Sequence, residues 1–357
     1  MNIIIAQGFN KKNFSNIAGN IFFLENFSND FYKIIFLENE NSIEFTNLNS
    51  FIIIRNKSFK INIFQKIHDL FNFYNLILKN IDRKNSNKIL TYMTPLYSFL
   101  LIPLKLFYKI KIYTWYSHIS ASGIISKISL FFTDLILTAS NEIQSYYPDK
   151  TLLIPNFYLS KFFYKTKFYT SLKKKREINI CLISRITRVK KIDFFIDLIS
   201  KSRDLKQNKI KINIVGDPIT NDDNKYINEL KKKIKNLNSE KFHFNFLNSM
   251  PINLLNDFMI TQDININMQE KGGMGKSIIE SFASGLIILF KTPIYDRHLN
   301  KDLIDIMKFD NNNFINKLFN ILEMNQSELN QISKKISSFA HNNFSDQAFF
   351  NRIKKIF

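Results

Sequence analysis

Short apolar runs alternate with helical patterns along almost the whole 357-residue chain. This alternation narrows the available folds more than any other feature. In the first half, NIIIA (2–6), KIIFLE (33–38), SFIIIR (50–55), ILTYM (89–93), KIYTWYS (111–117) and DLILTAS (134–140) read as strands. Helical patterns at 59–80 and 123–132 separate some of them. A second series begins near 177, with strands at 177–184, 211–216, 242–247, 263–268 and 286–290 and helices at 191–202, 224–237 and 275–284. Apolar strands separated by helices predict a mostly parallel sheet covered on both faces. Two series predict two doubly wound, Rossmann-like α/β domains, with a boundary in the polar, basic stretch 161–177. Two such domains facing each other would leave a cleft at the carboxyl ends of their strands, where ligands of α/β sheets bind.

Hydrophobic residues make up 45% of the chain, so packed cores are expected and global disorder is not. The single cysteine, Cys181, cannot form an internal disulfide and reads as a small buried hydrophobe. The start MNIIIAQGF has no basic segment before its apolar run and reads as a first strand rather than a signal peptide. The apolar region 96–113 is interrupted by Pro103, Lys105, Lys109 and Lys111, too broken to span a membrane but able to lie on a bilayer surface. The net charge of +20 admits nucleic acid, an anionic membrane or an anionic substrate as partner. The charge is spread, however, and short runs such as KKKR (173–176) read as solvated faces.

Four of the eight glycines fall within QEKGGMGKSIIESFASG: Gly272, Gly273, Gly275 and Gly285. A buried strand, a glycine turn and a helix N-terminus make an anion site, with unpaired N–H groups and the helix dipole pointing outward. Lys276 adds a full charge. Glu280, further into the helix, suits hydrogen bonds from vicinal hydroxyls such as those of a ribose. The alternative is a plain strand-to-helix turn with glycine for sterics. A second strand–loop–helix, ICLISRITRVKKIDFF, places Arg185 at a strand end and Lys190 at a helix start. Converging there, an Arg fork and a Lys point charge would neutralise a diphosphate. Ordinary surface charges are the alternative.

These stretches resemble the GT-B glycosyltransferases, specifically the retaining family four in its long-donor-loop variant. SRITRVKK resembles the family's G-R-x-x-x-x-K-G motif, and DININMQEKGGMGKSIIESFASG its signature strand, loop and helix. INIVGDP resembles its nucleotide-domain strand, and TWYSH its His-ending strand. The resemblance implies a nucleotide-diphosphate sugar donor and a glycan or lipid-linked acceptor. Arg185 and Lys190 would bind the diphosphate. Gly272, Gly273, Met274, Gly275, Lys276 and Ser277 would approach phosphates and sugar, with Gly216 nearby. Glu280 would hold the ribose, Glu270 the sugar hydroxyls, and His118 would stand near the transferred sugar. It further implies an N-terminal domain of 1–163 joined by a terminal helix at 341–357, and a donor domain of 164–340. No metal or other cofactor is expected, the cations taking a metal's place. The implied setting is bacterial cell-surface polysaccharide synthesis, such as lipopolysaccharide or capsule, in the cytoplasm or peripherally on the inner membrane face.

Three departures from the family pattern stand out, one being that the glycine-rich loop expected after the first strand is reduced to QGFN, with only Gly8. The usual first glutamate lies eight residues before the second, but position 272 is glycine and the nearest acid is Glu270. Lys191 occupies a position where glycine is usual. A non-catalytic GT-B homologue acting as an assembly partner is the competing reading. A nucleic-acid binder is a weaker one, since no helix-turn-helix, zinc module or RNP motif is present.

Overall fold

The computed structural model describes residues 2–7, 31–37, 50–54, 62–116, 123–200, 209–235, 237, 241–271 and 274–357. His118, Gly272 and Gly273 lie outside the described residues. The chain divides into two compact units, Met1–Pro155 with Phe349–Phe357, and Asn156–Ala348. These boundaries lie at 155/156 and 348/349 rather than at the 163/164 and 340/341 expected from sequence.

The first unit is built on a seven-stranded parallel sheet. Its strands are β1 (Asn2–Gln7), β2 (Phe31–Leu37), β3 (Ser50–Ile54), β4 (Asn87–Tyr92), β5 (Ile110–Trp115), β6 (Leu135–Thr138) and β7 (Thr151–Leu153). They run in the order β3-β2-β1-β4-β5-β6-β7, reversing direction of growth between β1 and β4. Ile3, Ile5, Ile89 and Ile112 from the strands meet Phe73 and Ile77 of helix Asn62–Asn80 and Leu101 of helix Pro95–Phe107. Burial on both faces explains why these strands read as apolar runs rather than alternating ones. Helix Pro95–Phe107 starts on Pro95, where a missing N–H costs nothing, and carries Pro103 inside, where proline has no N–H to give to the helix ladder. The last nine residues complete this unit. Phe349 stands edge-on to Trp115 at 5.0 Å, Phe357 stands edge-on to Tyr113 at 5.0 Å, and Lys88 donates to the Phe357 carbonyl at 2.9 Å.

The second unit carries a five-stranded parallel sheet of β8 (Glu177–Ile183), β9 (Lys209–Val215), β10 (Phe242–Leu247), β11 (Ile264–Asn267) and β12 (Ile288–Phe290). The order β10-β9-β8-β11-β12 places the reversal between β8 and β11. In a doubly wound sheet this is where the loops at the carboxyl edge part and leave room for a ligand.

The stretch 161–177, read from sequence as a basic boundary, is instead part of this unit's core. Phe163, Lys167, Tyr169 and Leu172 are buried. The Tyr169 hydroxyl donates to the Asp263 carbonyl at 2.9 Å and accepts from the Ile287 N–H at 2.8 Å. The Asp263 carboxylate is buried between Lys175 at 2.6 Å and Lys167 at 3.6 Å. Lys175 of the KKKR run is therefore tied to a buried charge rather than merely solvated. Removing either side of such a pair strands a charge in the interior, which costs about 3–5 kcal/mol. Cys181 is fully buried on β8, and burial pushes its thiol pKa up, as expected of a structural thiol.

Candidate functional site

The loops leaving the carboxyl ends of β8, β9, β11 and β12 carry most of the residues singled out from sequence. The ends of β8 and β9 are drawn together beyond their ladder. Ser184 N–H donates to the Val215 carbonyl at 3.0 Å, and Ile186 N–H to the Asp217 carbonyl at 3.2 Å. Between them sits Gly216, at φ 148°, where a Cβ would lie 1.9 Å from the Ser184 carbonyl oxygen. No other residue fits there.

The SRITRVKK loop folds as a single 3-10 turn, Arg188–Lys190, closed by Lys191 and followed by helix Ile192–Ser200. Lys191 has φ 50° and ψ 40°, the left-handed conformation that glycine adopts freely and that costs an L-residue about 1–2 kcal/mol. The backbone thus explains why glycine is usual at this position. The four cations of the loop have different partners. Arg188 reaches both oxygens of Glu229, at 2.8 and 2.9 Å. Lys191 pairs with Glu270 at 2.5 Å. Lys190 donates to the neutral Gln269 Oε1. Arg185 is exposed, and its guanidinium makes no hydrogen bond or ion pair among the described residues. Arg185 and Lys190 are therefore the two cations of the loop without a carboxylate. Burial, with the Arg185 charge beside it, lowers the Lys190 pKa to about 8.

After β11 the chain turns through Gln269, Glu270 and Lys271. Gln269 N–H donates to Asn267 Oδ1 at 3.1 Å, and Gln269 Nε2 to the Lys271 carbonyl at 2.7 Å. Glu270 accepts from Lys191 on one oxygen and from Lys291, just past β12, on the other. These two ammonium groups hold its pKa at about 2. Lys291 also bonds Asn311 and lies over the Phe194 ring at 5.6 Å.

Helix Lys276–Ala283 begins directly at the loop. Its N-cap is Gly275, which supplies no side chain to its free N–H groups, and a Cβ built there would meet nothing within 4 Å. The helix N-terminus is therefore open to an incoming group. Met274 is buried, and its carbonyl accepts from Asn156 at 3.2 Å. Ser277 is half-buried, its carbonyl accepting from Ser281 at 2.8 Å. Lys276 lies over the Phe157 ring at 5.6 Å. Glu280 is 7% exposed and its carboxylate accepts no hydrogen bond among the described residues. Burial raises its pKa to about 7, Lys276 pulling the other way. The buried Tyr295 hydroxyl donates to the Gly275 carbonyl at 3.1 Å, bracing the loop from below. Gly285 belongs to the fold rather than to this site. At φ 64° it ends the helix, and a Cβ would meet Ser333 Oγ at 2.4 Å.

The edge therefore combines cations lacking carboxylate partners, an uncapped helix start and a buried carboxylate with open acceptor capacity. Such a set complements a ligand with anionic oxygens and hydroxyl donors. Lys291, Gln269 and Tyr295 do not stand out in the sequence; the first two are marked only by lying just after a β-strand, and Tyr295, at the end of the 3-10 turn Pro293–Tyr295, by nothing local. Among the described residues no group of three or more His, Cys, Asp or Glu side chains is placed to hold a metal ion.

Residues 164–335 match the family described as Glycosyl transferases group 1. Solved structures align over the full chain. The sucrose-phosphate synthase of Thermosynechococcus elongatus does so at TM-score 0.72 and 12% identity, covering 100% of this chain and 98% of its own. Anabaena HepE in complex with UDP aligns at TM-score 0.71 and 14% identity, covering 100% and 99%. The fold is GT-B. The lipopolysaccharide outer core galactosyltransferase WaaB shares this GT-B fold at TM-score 0.66 and 11% identity, covering 100% and 99%. HepE was also solved with UDP-glucose. No curated protein sequence matches the chain. The matched segment contains every loop of the site just described.

Proposed function

We propose that the protein is a retaining glycosyltransferase that moves a sugar from a nucleotide-diphosphate sugar to a glycan or lipid-linked acceptor. The observation that carries this reading is the pairing pattern of SRITRVKK. Arg188 and Lys191 are matched by carboxylates, whereas Arg185 and Lys190 are left to a ligand. In the proposed reaction the sugar–diphosphate C–O bond breaks, and the acceptor oxygen bonds to the same carbon on the same face. The acceptor's proton leaves with the departing diphosphate. Arg185 and Lys190 stabilise the charge that builds on that diphosphate, and such preorganised donors are among the largest contributors to catalysis. The N–H groups of the helix that starts at Lys276 take further phosphate oxygens. Glu280 accepts from the ribose hydroxyls. We assign His118 to the transferred sugar, and the metal-like role to the cations themselves.

The UDP and UDP-glucose complexes of HepE support a uridine nucleotide as the first ligand to test. That WaaB is a lipopolysaccharide outer core galactosyltransferase makes a surface glycolipid or polysaccharide the first acceptor class to test, and we assign the enzyme to a bacterial cytoplasm or to the inner membrane face. Thermal unfolding with millimolar UDP, GDP, ADP and CDP tests the donor site. A ligand at about 100 times its Kd stabilises the native state by about 2.7 kcal/mol. A rise in Tm with at least one nucleotide is expected; no rise with any of the four overturns the reading.

A further inference from the structure

Lys191, where glycine is usual, and Glu270, the acid nearest the usual first glutamate, meet in space. Lys191, standing in a left-handed conformation that glycine would adopt without strain, uses its side chain to hold Glu270. Lys291 holds the other oxygen of the same carboxylate from the far side, and is itself largely buried and fixed by Asn311 and Phe194. The preceding residue, Gln269, orients Lys190 through its side-chain oxygen and closes the turn through its side-chain nitrogen onto Lys271. Residues 269–271 are thus anchored from the β8 loop on one flank and the end of β12 on the other.

We propose that Lys191 and Lys291 are positioning residues, clamping Glu270 between them to fix the turn whose Gln269 aims Lys190. Here Glu270 serves as the centre of the clamp, since each of its oxygens already accepts a charged donor. The strained backbone at Lys191 is retained because glycine there would leave the clamp one-sided. The proposal rests on the reading of Arg185 and Lys190 as diphosphate ligands.

Two measurements test it. The first needs no ligand: NMR of protein labelled at the glutamate carboxyl carbons follows the ionisation of Glu270. Its midpoint lies at about 2 in the wild type and rises toward the ordinary carboxylate range in Lys191→Gly and in Lys291→Met, each of which removes one of the two ammonium groups. A Glu270 that titrates in the ordinary carboxylate range in the wild type overturns the clamp. The second is calorimetry with UDP. Lys191→Gly, Lys291→Met and Glu270→Gln each weaken UDP binding about threefold to tenfold, the range of a disturbed supporting contact. Their Tm stays within about 2 °C of wild type, the shift of a fraction of a kcal/mol. Lys291→Arg restores binding to within about twofold, because the charged donor returns. The double variant Glu270→Gln/Lys291→Met loses no more than either single one, because both remove the same clamp.

Losses that multiply in the double variant would mean that Lys291 touches the ligand directly, and would overturn the positioning role. Unchanged UDP affinity in all three single variants would also overturn it, with the diphosphate reading left intact. A wild type that binds none of UDP, GDP, ADP or CDP would remove that reading and the proposal together, leaving the NMR result to describe the clamp alone.

Discussion

Lys276 and Glu280 stand one turn apart at the start of the same helix, and neither side chain makes a hydrogen bond among the described residues. Burial lowers the Lys276 pKa and raises that of Glu280 to about 7, each group offsetting part of the other's cost. The pH dependence follows. Below about 4.5, the ordinary glutamate value, Glu280 is neutral whether the chain is folded or not. From there up to about 7 the unfolded chain ionises first, so stability is lost as pH rises. We expect Glu280→Gln to raise Tm over wild type at pH 8 and to leave it nearly unchanged at pH 4.5. The gain at pH 8 is on the order of 2–3 kcal/mol. Calorimetric scans at the two pH values check this, and UDP binding should weaken at least tenfold in the same variant, as a lost charged acceptor costs about 1.5–3 kcal/mol.

Lys190 sets a second pH dependence, of opposite origin. With a pKa of about 8 it is charged below that value and neutral above it. Diphosphate affinity should therefore be flat below about pH 7 and fall above 8, approaching tenfold per unit, the limit for loss of one required proton. Lys190→Arg should abolish the slope, since guanidinium keeps its charge. Alanine at Lys190 or Arg185 should lower turnover by about two to four orders of magnitude. Titration calorimetry between pH 6.5 and 9.5, with rate measurements alongside, is the check.

The clustered glycines should divide by mutation into two kinds. Gly285→Ala forces a Cβ against Ser333 and Thr166 at a positive φ, and should destabilise by about 1–3 kcal/mol. Gly275→Ala adds a methyl group into open space at an ordinary φ of −70°. Its Tm should be unchanged, and its UDP affinity should drop at least tenfold, about 1.4 kcal/mol, if phosphate approaches the bare backbone there. A Gly275→Ala protein with full affinity would show that no ligand comes near this backbone.

Membrane association has a specific test in the first unit. Leu106, Phe107 and Phe131 are 74%, 80% and 68% exposed at the ends of helices Pro95–Phe107 and Ile124–Phe132. Those ends are tied together by Lys105, which donates to the Phe132 carbonyl at 2.9 Å and pairs with Asp134 at 2.7 Å. Both helices end just before β5 and β6, so the aromatic group lies at the amino edge of the first sheet. Exposed Lys109, Lys111 and Lys127 flank it in sequence. Salt-sensitive sedimentation with anionic vesicles is expected, at about 1 kcal/mol per engaged lysine. Phe107→Ser/Phe131→Ser should reduce it severalfold. Equal sedimentation with neutral and anionic vesicles at low salt would exclude the interaction.

β12 was legible because burial on both faces leaves an apolar run, whereas FHFNFL (242–247), at the sheet edge with His243 exposed, was legible by its alternation. β7, only Thr151–Leu153, is too short to carry a pattern. Helix Pro95–Phe107 was masked by its internal proline and by lysines that local spacing cannot place. In the site, Arg185 and Lys190 stood out through a motif, whereas the partners of Glu270 did not. Lys191 and Lys291 lie 79 and 21 residues from it in the chain, and only the order of strands in the sheet brings them together. The same holds for Asp263, whose lysines lie on a segment that looks like a polar linker.

That segment has a consequence for how the protein is made. Lys167 and Tyr169 emerge from the ribosome long before the residues that satisfy them. Tyr169 N–H bonds Asn330, 161 positions later, and the Lys167 carbonyl accepts from Ser333, 166 positions later. A nascent chain paused between β12 and helix Gln326–Phe344 therefore holds the complete sheet, with the Tyr169 hydroxyl and the Lys167 ammonium already on Asp263, but lacks the helix that takes the strap's backbone groups. Contacts this remote in sequence form slowly, because a long loop has to close before they yield any stabilisation. The second unit is thus expected to lock only once helix Gln326–Phe344 has been made, and until then to be the more prone to aggregate.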